Sequence, residues 1–411
     1  MTDTTLIELS RTARRANPLG ALARRLVLAG LATLRNGLLR VRDGDEVIEF
    51  GTGRSGPRTA LTVLDPAFYA EIAFGGSVGA GESYMLGHWQ SNDLTALMRL
   101  LLRNPDALDA METGLARVSA PLRLAAHWLH RNTRAGSRRN ISAHYDLGND
   151  FFQLFLDETM MYSCALFERP DMTLAEASTA KLDAVCRKLA LGPQDHVLEI
   201  GTGWGGFALH AATRYGCRVT TTTISPSQHE LARKRVHAAG LEDRISILLE
   251  DYRDLKGTYA KLVSIEMIEA IGHQNFGEFF RQCAARLAPG GQMLLQSITI
   301  ADHLYDRARD EVDFIKRYIF PGCCIPSVSA LAQAMAGASD LRIVHLEDIG
   351  PHYATTLARW RDSFLANRER VRALGYPESF CRMWEFYLCY CEAGFAERAL
   401  GDVQMVLTRN S

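Results

Sequence analysis

Residues 196–206 carry the densest chemistry in the chain: His196-Val197-Leu198-Glu199-Ile200-Gly201-Thr202-Gly203-Trp204-Gly205-Gly206. An apolar strand runs into glycines that permit a tight turn, and Phe207, Ala208 and Ala211 begin a helix. Glycine at 201 and 203 lets the backbone approach a ligand closely, and the helix start offers free N–H groups to an anion. Gly201, Gly203 and Gly206 also fit G-x-G-x-x-G, so a dinucleotide site has to be weighed. Such a site needs an acid about 20 residues on, at the end of the next strand, to hold ribose hydroxyls. The sequence there is Thr220-Thr221-Thr222-Thr223-Ile224-Ser225, which has none.

The other reading is the E-x-G-x-G turn of S-adenosylmethionine-dependent methyltransferases. Glu199, directly before the glycines, is then the partner of the cofactor's ammonium, a group no dinucleotide carries. Asp251, at the end of the third expected strand, is placed to meet the adenine. A glycine turn with no ligand leaves this combination of residues without a reason.

These residues need a sheet to hold them. Strands are expected at His196–Ile200, Arg218–Ile224, Ile245–Glu250, Lys261–Glu266, Gln292–Thr299, Leu341–Glu347 and Val403–Thr408. Helical stretches separate most of them, and that alternation favours an α/β fold with a largely parallel, doubly wound sheet. Residues Ala301 to Ala336 read as a helical insertion over the carboxyl ends of the strands, where open α/β sheets bind ligands. Upstream, Glu46 to Leu64 alternates between Gly/Pro turns as short strands do, and a mostly helical stretch follows to about His130. Residues Arg131 to Asn140 are polar and basic without hydrophobic period, as in a linker.

Composition narrows the class. Of 411 residues, 47% are apolar and 23% charged, which excludes disordered and collagen-like chains. With 46 basic against 47 acidic residues the net charge is −1, so bulk electrostatics point to no nucleic-acid partner. No stretch approaches the ~20 apolar residues of a membrane span. Nine cysteines, an odd number without zinc spacing, suggest a reducing, cytoplasmic compartment and no metal site. The first 45 residues are biased: Arg11, Arg14, Arg15, Arg24, Arg25, Arg35, Arg40 and Arg42 face few acids. Leu19, Leu22, Leu26, Leu31, Leu34 and Leu38 recur at a spacing that puts them roughly on one helical face. A basic amphipathic helix of this kind can lie in an anionic membrane surface. The alternative is a helix that docks its leucines on its own domain.

Further strings are Asn140-Ile141-Ser142-Ala143-His144-Tyr145-Asp146-Leu147-Gly148-Asn149, Met161-Tyr162-Ser163-Cys164, Ser225-Pro226-Ser227-Gln228, Glu266-Met267-Ile268-Glu269-Ala270-Ile271-Gly272 and Arg317-Tyr318-Ile319-Phe320-Pro321-Gly322. Together they resemble the cyclopropane-fatty-acyl-phospholipid synthase family, which includes mycolic-acid cyclopropane synthases and fatty-acid methyltransferases. The resemblance covers about residues 80 to 411, starting with Gly81-Glu82-Ser83-Tyr84-Met85-Leu86-Gly87-His88-Trp89. It implies a Rossmann-like class I methyltransferase domain over 144–411, a linker at 129–143 and a smaller α+β lipid-binding domain over 1–128.

The implied reaction moves a methylene from S-adenosylmethionine to the cis double bond of an unsaturated phospholipid acyl chain. It passes through a carbocation that gives a proton to bound bicarbonate, and a cyclopropane closes. The implied setting is the inner face of an anionic membrane, bound peripherally, with a homodimer left open. Carried over by position, the bicarbonate cradle is Cys164, Glu269, Gln296, the backbone at Ile298, and Tyr318. Tyr162, Ser163, Glu199, Gly201, Gly203, Thr223, Gln228, Asp251 and Tyr252 fall on the cofactor. Cys391 matches a cysteine proposed as catalytic in the family. The alkene attacks the cofactor directly and needs no enzyme nucleophile, so a structural or lining role is expected.

Gln296 departs from the family, which carries histidine in the equivalent of Leu294-Leu295-Gln296-Ser297-Ile298. Glutamine hydrogen-bonds but does not titrate near neutral pH. Slower proton removal gives the cation time for a hydride shift and a methylene-branched product, the outcome of a neighbouring 10-methylene-forming subfamily. A lipid-binding protein without catalysis is the remaining alternative.

Overall fold

The computed structural model describes residues 18–112 and 147–410. The chain divides into two compact units, Met1–Leu122 and Arg123–Ser411. The expected linker at 129–143, and Arg11, Arg14 and Arg15, lie outside the described residues.

In the first unit, α1 (Pro18–Leu31) precedes a small sheet of β1 (Leu38–Asp43), β2 (Glu46–Gly51), β3 (Arg58–Val63) and, after α2 (Ala67–Met85), β4 (Trp89–Ser91). The order is β2-β1-β3-β4, and α3 (Leu94–Leu102) and α4 (Pro105–Glu112) complete the unit. The leucine stripe does not stay on one helix. The helix ends at Leu31, Leu34 lies in the turn that follows, and after Gly37 at φ +112° Leu38 opens β1 with Leu39 and Val41 buried in alternation. Within α1 the stripe splits as well. Leu31 is buried beside Ala23 and Val27, while Leu19, Leu22 and Leu26 stay exposed. Arg24 is not a free membrane-facing cation, because it pairs with Asp43 at 2.8 Å and Glu46 at 2.6 Å.

The second unit begins with the short α5 (Asn149–Phe152) and α6 (Leu174–Lys188), which starts at a Thr173/Glu176 capping box. All seven expected strands form: β5 (His196–Ile200), β6 (Arg218–Thr222), β7 (Ile245–Leu248), β8 (Tyr259–Ile265), β9 (Leu287–Ile300), β10 (Leu341–Asp348) and β11 (Leu400–Arg409). They lie in the order β10-β11-β9-β8-β5-β6-β7. Neighbours from β7 to β9 run parallel, and β11 is reversed against both β9 and β10.

Alternate strand residues go to opposite faces, and both faces are covered. On one, α6, α7 (Gly206–Tyr215) and α8 (Pro226–Ala238) pack Val185, Phe207 and Val236 against Val197, Val219 and Val263. On the other, α9 (Phe276–Arg286) sets Phe279 and Phe280 against Leu198, Leu262 and Met293. The insertion after β9 forms α10 (Asp302–Asp310), a π-helical turn at Ile315–Ile319 and α11 (Val328–Ala338). It does not all stay over the strand ends. Leu331 and Met335 of α11 join the core beside α9.

The chain then adds α12 (Pro351–Ala366), α13 (Arg368–Ala373) and α14 (Glu378–Ala396) before β11. Phe151 of α5 is fully buried, with ring centroids 6.3 Å from Phe364 on α12 and 5.3 and 4.9 Å from Phe380 and Trp384 on α14. This cluster fixes the chain that leads into residues 160–164. Replacing Phe151 by Ala is expected to cost about 3–5 kcal/mol in denaturant unfolding. A loss near zero would show that the aromatic cluster does not hold this segment.

Candidate active site

The glycine turn after β5 has Gly201, Gly203 and Gly205 at φ +105°, +51° and +86°. A Cβ at Gly203 would meet nothing within 4 Å, whereas one at Gly206 would lie 2.5 Å from Met161 Sδ and 2.7 Å from the Thr159 carbonyl oxygen. The turn therefore offers an open edge at 203 and takes the 159–161 loop in close contact at 206. Its backbone is pinned: the Gly201 and Thr202 N–H groups both donate to the Thr222 carbonyl, at 3.1 and 3.0 Å. Arg235 on α8 clasps the turn and the loop together, donating to the carbonyls of Trp204 at 2.6 Å and Thr159 at 3.2 Å.

Glu199 lies behind the turn, 3% exposed. Its Oε2 has no hydrogen-bond partner among the described residues, and burial pushes the carboxyl up to about 8. A buried acceptor of this kind is costly until a donor arrives. An ammonium supplies both donor and charge, so the residues present fit S-adenosylmethionine. Nearby, the Tyr162 hydroxyl bonds that of Tyr387 at 2.8 Å, and its ring lies 5.2 Å from Trp360 and 5.4 Å from Phe152. Ser163 Oγ accepts from Lys181 Nζ at 2.7 Å. Thr223 donates to Gln228 Oε1 at 2.8 Å, and Ser225 caps α8 through the Gln228 N–H.

At the expected adenine end, Asp251 is already committed. Both its oxygens receive the Arg253 guanidinium, at 2.8 and 2.6 Å, and it caps the following turn. The neighbouring Tyr252 hydroxyl is buried without a hydrogen-bond partner among the described residues, so it is the polar group left open there.

A second set gathers at the ends of β8, β9 and β11. Glu266 follows β8 with φ +46°, an uncommon conformation for a side-chain-bearing residue. Its Oε1 accepts from the Cys164 N–H and from Gln296 Nε2, both at 2.8 Å, and its Oε2 from the Tyr353 hydroxyl at 2.6 Å. The β9–β11 register sets Gln296 opposite Gln404 and Ile298 opposite Asp402. Gln296 Nε2 therefore also reaches Asp402 Oδ2 at 2.9 Å, while its Oε1 accepts from Gln404 at 3.0 Å.

Glu269 Oε1 accepts from the Ile298 N–H at 2.5 Å and from Ser297 Oγ at 2.8 Å; its buried Oε2 is unpartnered among the described residues. Burial, then the charge of Glu266, raises the Glu269 carboxyl to about 8. The same two causes hold Asp402 well above the usual carboxylate range. Burial also raises the Cys164 thiol, which is therefore no nucleophile at neutral pH, and lowers the fully buried Lys181 ammonium.

The structure brings Cys164, Glu269, Gln296 and the Ile298 backbone together, with two changes of role. Gln296 has both amide hydrogens on carboxylates and stands behind Glu266, and the Ile298 N–H belongs to Glu269. Tyr318 is not joined to the set by these contacts: its hydroxyl accepts from Arg317 Nε at 3.2 Å and its ring packs on Phe314, while Tyr353 of α12 brings a tyrosine hydroxyl to the cluster. Bicarbonate does not fit the set described: the N–H groups of Cys164 and Ile298, the Gln296 amide and the Tyr353 hydroxyl already serve Glu266, Asp402 and Glu269. Cys391 on α14 is partly exposed and has Asp313, Cys323 and Cys389 as its electrostatic neighbours. Sequence reasoning did not single out Glu266, Lys181, Ser297, Tyr353 or Asp402. Glu266 alone carried a local signal, as the first acid of Glu266-Met267-Ile268-Glu269.

A parallel sheet with one reversed strand, and a glycine turn backed by a buried acid, define a class I S-adenosylmethionine-dependent methyltransferase. Residues 132–405 match the family model described as mycolic acid cyclopropane synthetase, and the chain belongs to that family. Tuberculostearic acid methyltransferase UfaA1 of Mycobacterium tuberculosis is 41% identical over 367 residues, 87% of this chain and 85% of its own. Cyclopropane-fatty-acyl-phospholipid synthase of Escherichia coli K12 is 37% identical over 352 residues, 85% of this chain and 87% of its own. The crystal structure of mycolic acid cyclopropane synthase CmaA1 complexed with SAH and CTAB superposes with a TM-score of 0.62 at 31% identity. It covers 66% of this chain and 98% of that one.

The two raised carboxyls set a pH dependence. Glu199 and Glu269 titrate near 8 when folded, against about 4.3 in an unfolded chain. The folded protein binds these protons more tightly, so stability is full below the unfolded value and falls as pH rises toward the folded one. Cofactor-free enzyme should lose thermal stability between about pH 5 and 8, and combined Glu199→Gln and Glu269→Gln should flatten that slope. A wild-type melting temperature that rises through this window would contradict the burial argument.

Proposed function

We propose that the enzyme transfers a one-carbon unit from S-adenosylmethionine to the cis double bond of an unsaturated acyl chain in a phospholipid. The observation that carries this reading is a cofactor turn with an uncompensated buried acid beside an aromatic wall of Tyr162, Phe152, Trp360 and Phe320. An alkene is a weak nucleophile, so its orientation toward the sulfonium methyl must supply much of the catalysis, on the order of 7–11 kcal/mol in favourable cases. The alkene π pair forms the new carbon–carbon bond as the sulfur–methyl bond breaks. Positive charge then develops on the neighbouring chain carbon, where aromatic faces attract it. Glu199 holds the cofactor's ammonium, and Gly203 leaves its open edge to the cofactor's backbone approach.

The resemblance implies cyclopropane closure. One observation favours a second outcome, a methylene-branched chain: Gln296 replaces a titratable residue and has both its donors engaged on carboxylates. The high identity to a tuberculostearic acid methyltransferase supports the same outcome. Mass spectrometry of lipids from an expressing host, with double-bond-sensitive derivatisation, separates the two. A one-carbon gain with the derivatised bond lost means a ring; a one-carbon gain that still derivatises means a branch. Unaltered lipids, with folded enzyme and cofactor present, would overturn the proposed function.

The first unit suits membrane docking through a reduced set of groups. Among the described residues no helix is long and apolar enough to cross a membrane. Leu19, Leu22 and Leu26 nevertheless form an exposed apolar row on α1, with Arg25 exposed beside them. A basic residue near an anionic surface contributes ~1 kcal/mol, and the leucines add burial at the acyl boundary. Replacing the three leucines by Ser should reduce flotation with anionic vesicles. Equal flotation of variant and wild type would remove this face from the account.

A further inference from the structure

Two of the hydrogen-bond donors expected to cradle a bound anion, with a third from α12, converge instead on a carboxylate of the protein itself. Cys164 N–H, the Gln296 amide and the Tyr353 hydroxyl all donate to Glu266, at 2.8, 2.8 and 2.6 Å. We propose that the Glu266 carboxylate is the built-in base of this enzyme, standing where its relatives would need a diffusible anion. The proposal rests on the acyl-chain reading above.

Three further observations support it. Glu266 keeps a left-handed backbone, a conformation that persists when surrounding contacts over-determine it, and such positions cluster at active sites. As a residue it is only partly buried, unlike the fully buried Asp402. Finally, its charge has a stated origin. Gln296 Nε2 bridges Glu266 and Asp402, so the two carboxyl groups are too close for both to ionise. Asp402 is fully buried, receives one donor and has Oδ1 unpartnered among the described residues, so it keeps the shared proton. Three donors converge on Glu266 against one on Asp402, and the fully buried Lys181 lies near it.

The step balances without a co-reactant. A C–H bond of the transferred carbon breaks, and its proton goes to a Glu266 carboxylate oxygen. The electron pair closes the ring, or forms the exocyclic double bond when a hydride has first moved to the adjacent cationic carbon. Proton acceptance turns the Glu266–Asp402 pair into two neutral acids, which burial tolerates.

The test uses full-length enzyme, carbon-13 bicarbonate and unsaturated phospholipid vesicles. Wild type should turn over equally in carbon-dioxide-free and bicarbonate-supplemented buffer and show no bound bicarbonate signal by NMR. Glu266→Gln keeps the shape and the two bonds at Oε1, turns the third contact into one the Tyr353 hydroxyl accepts, and loses basicity. It should bind S-adenosylmethionine normally and lose turnover by about 100-fold or more, the scale of general-base catalysis. Glu266→Gly frees the donors, and should bind labelled bicarbonate and regain turnover as bicarbonate is added. The proposal is overturned if wild type binds bicarbonate and slows without it, or if folded Glu266→Gln turns over normally. Vesicles left unmodified by wild type would sink the acyl-chain reading, while the bicarbonate NMR of wild type and Glu266→Gly still decides whether Glu266 displaces the anion.

Discussion

Three carboxyl groups, on Glu266, Glu269 and Asp402, meet at one end of the sheet, with a fourth, Glu199, buried behind the glycine turn, and removing them from water dictates how the nearby donors are used. A buried carboxyl must be paired, hydrogen-bonded or protonated. Each takes a different solution. Glu266 draws three donors, Asp402 keeps a proton, and Glu269 takes two donors on one oxygen. Glu199 leaves an oxygen waiting for a cation. The β9–β11 register is what makes this possible, because it places Gln296 and Gln404 side by side and brings Asp402 across from Ile298. A shift of one residue would turn Gln296 and Asp402 to the wrong faces.

A reaction that begins with a sulfonium and proceeds through a carbocation suits such a place. Fixed negative charge and aromatic faces favour both species, and prearranged dipoles need no reorganisation as charge moves. On the proposed reading, the base is varied within the family without a change of fold. Where histidine would have a free nitrogen, Gln296 has one amide nitrogen shared by two carboxylates and thereby links β8 to β11.

Much of the fold was legible because its signals are local. Seven apolar runs in an α/β rhythm mark the strands, and Glu199 with Gly201 and Gly203 marks the cofactor turn. What escaped was set by distant pairing. Tyr353, Asp402 and Lys181 come from α12, β11 and α6, and nothing in their local strings distinguishes them from ordinary helix or strand residues. The leucine pattern near the N-terminus misled for the opposite reason: helical spacing continued past Leu31, where the helix ends.

The claim that buried carboxyls await the cofactor's positive charge is tested most directly by the protons that move on binding. Titrating S-adenosylmethionine into the enzyme near neutral pH, in buffers of different ionisation enthalpy, measures that number. Glu199 is largely protonated before binding and must ionise to hold the ammonium, so about one proton should be released per cofactor bound, and none from Glu199→Gln. Binding without proton release in the wild type, or with the same release in the variant, would contradict the account.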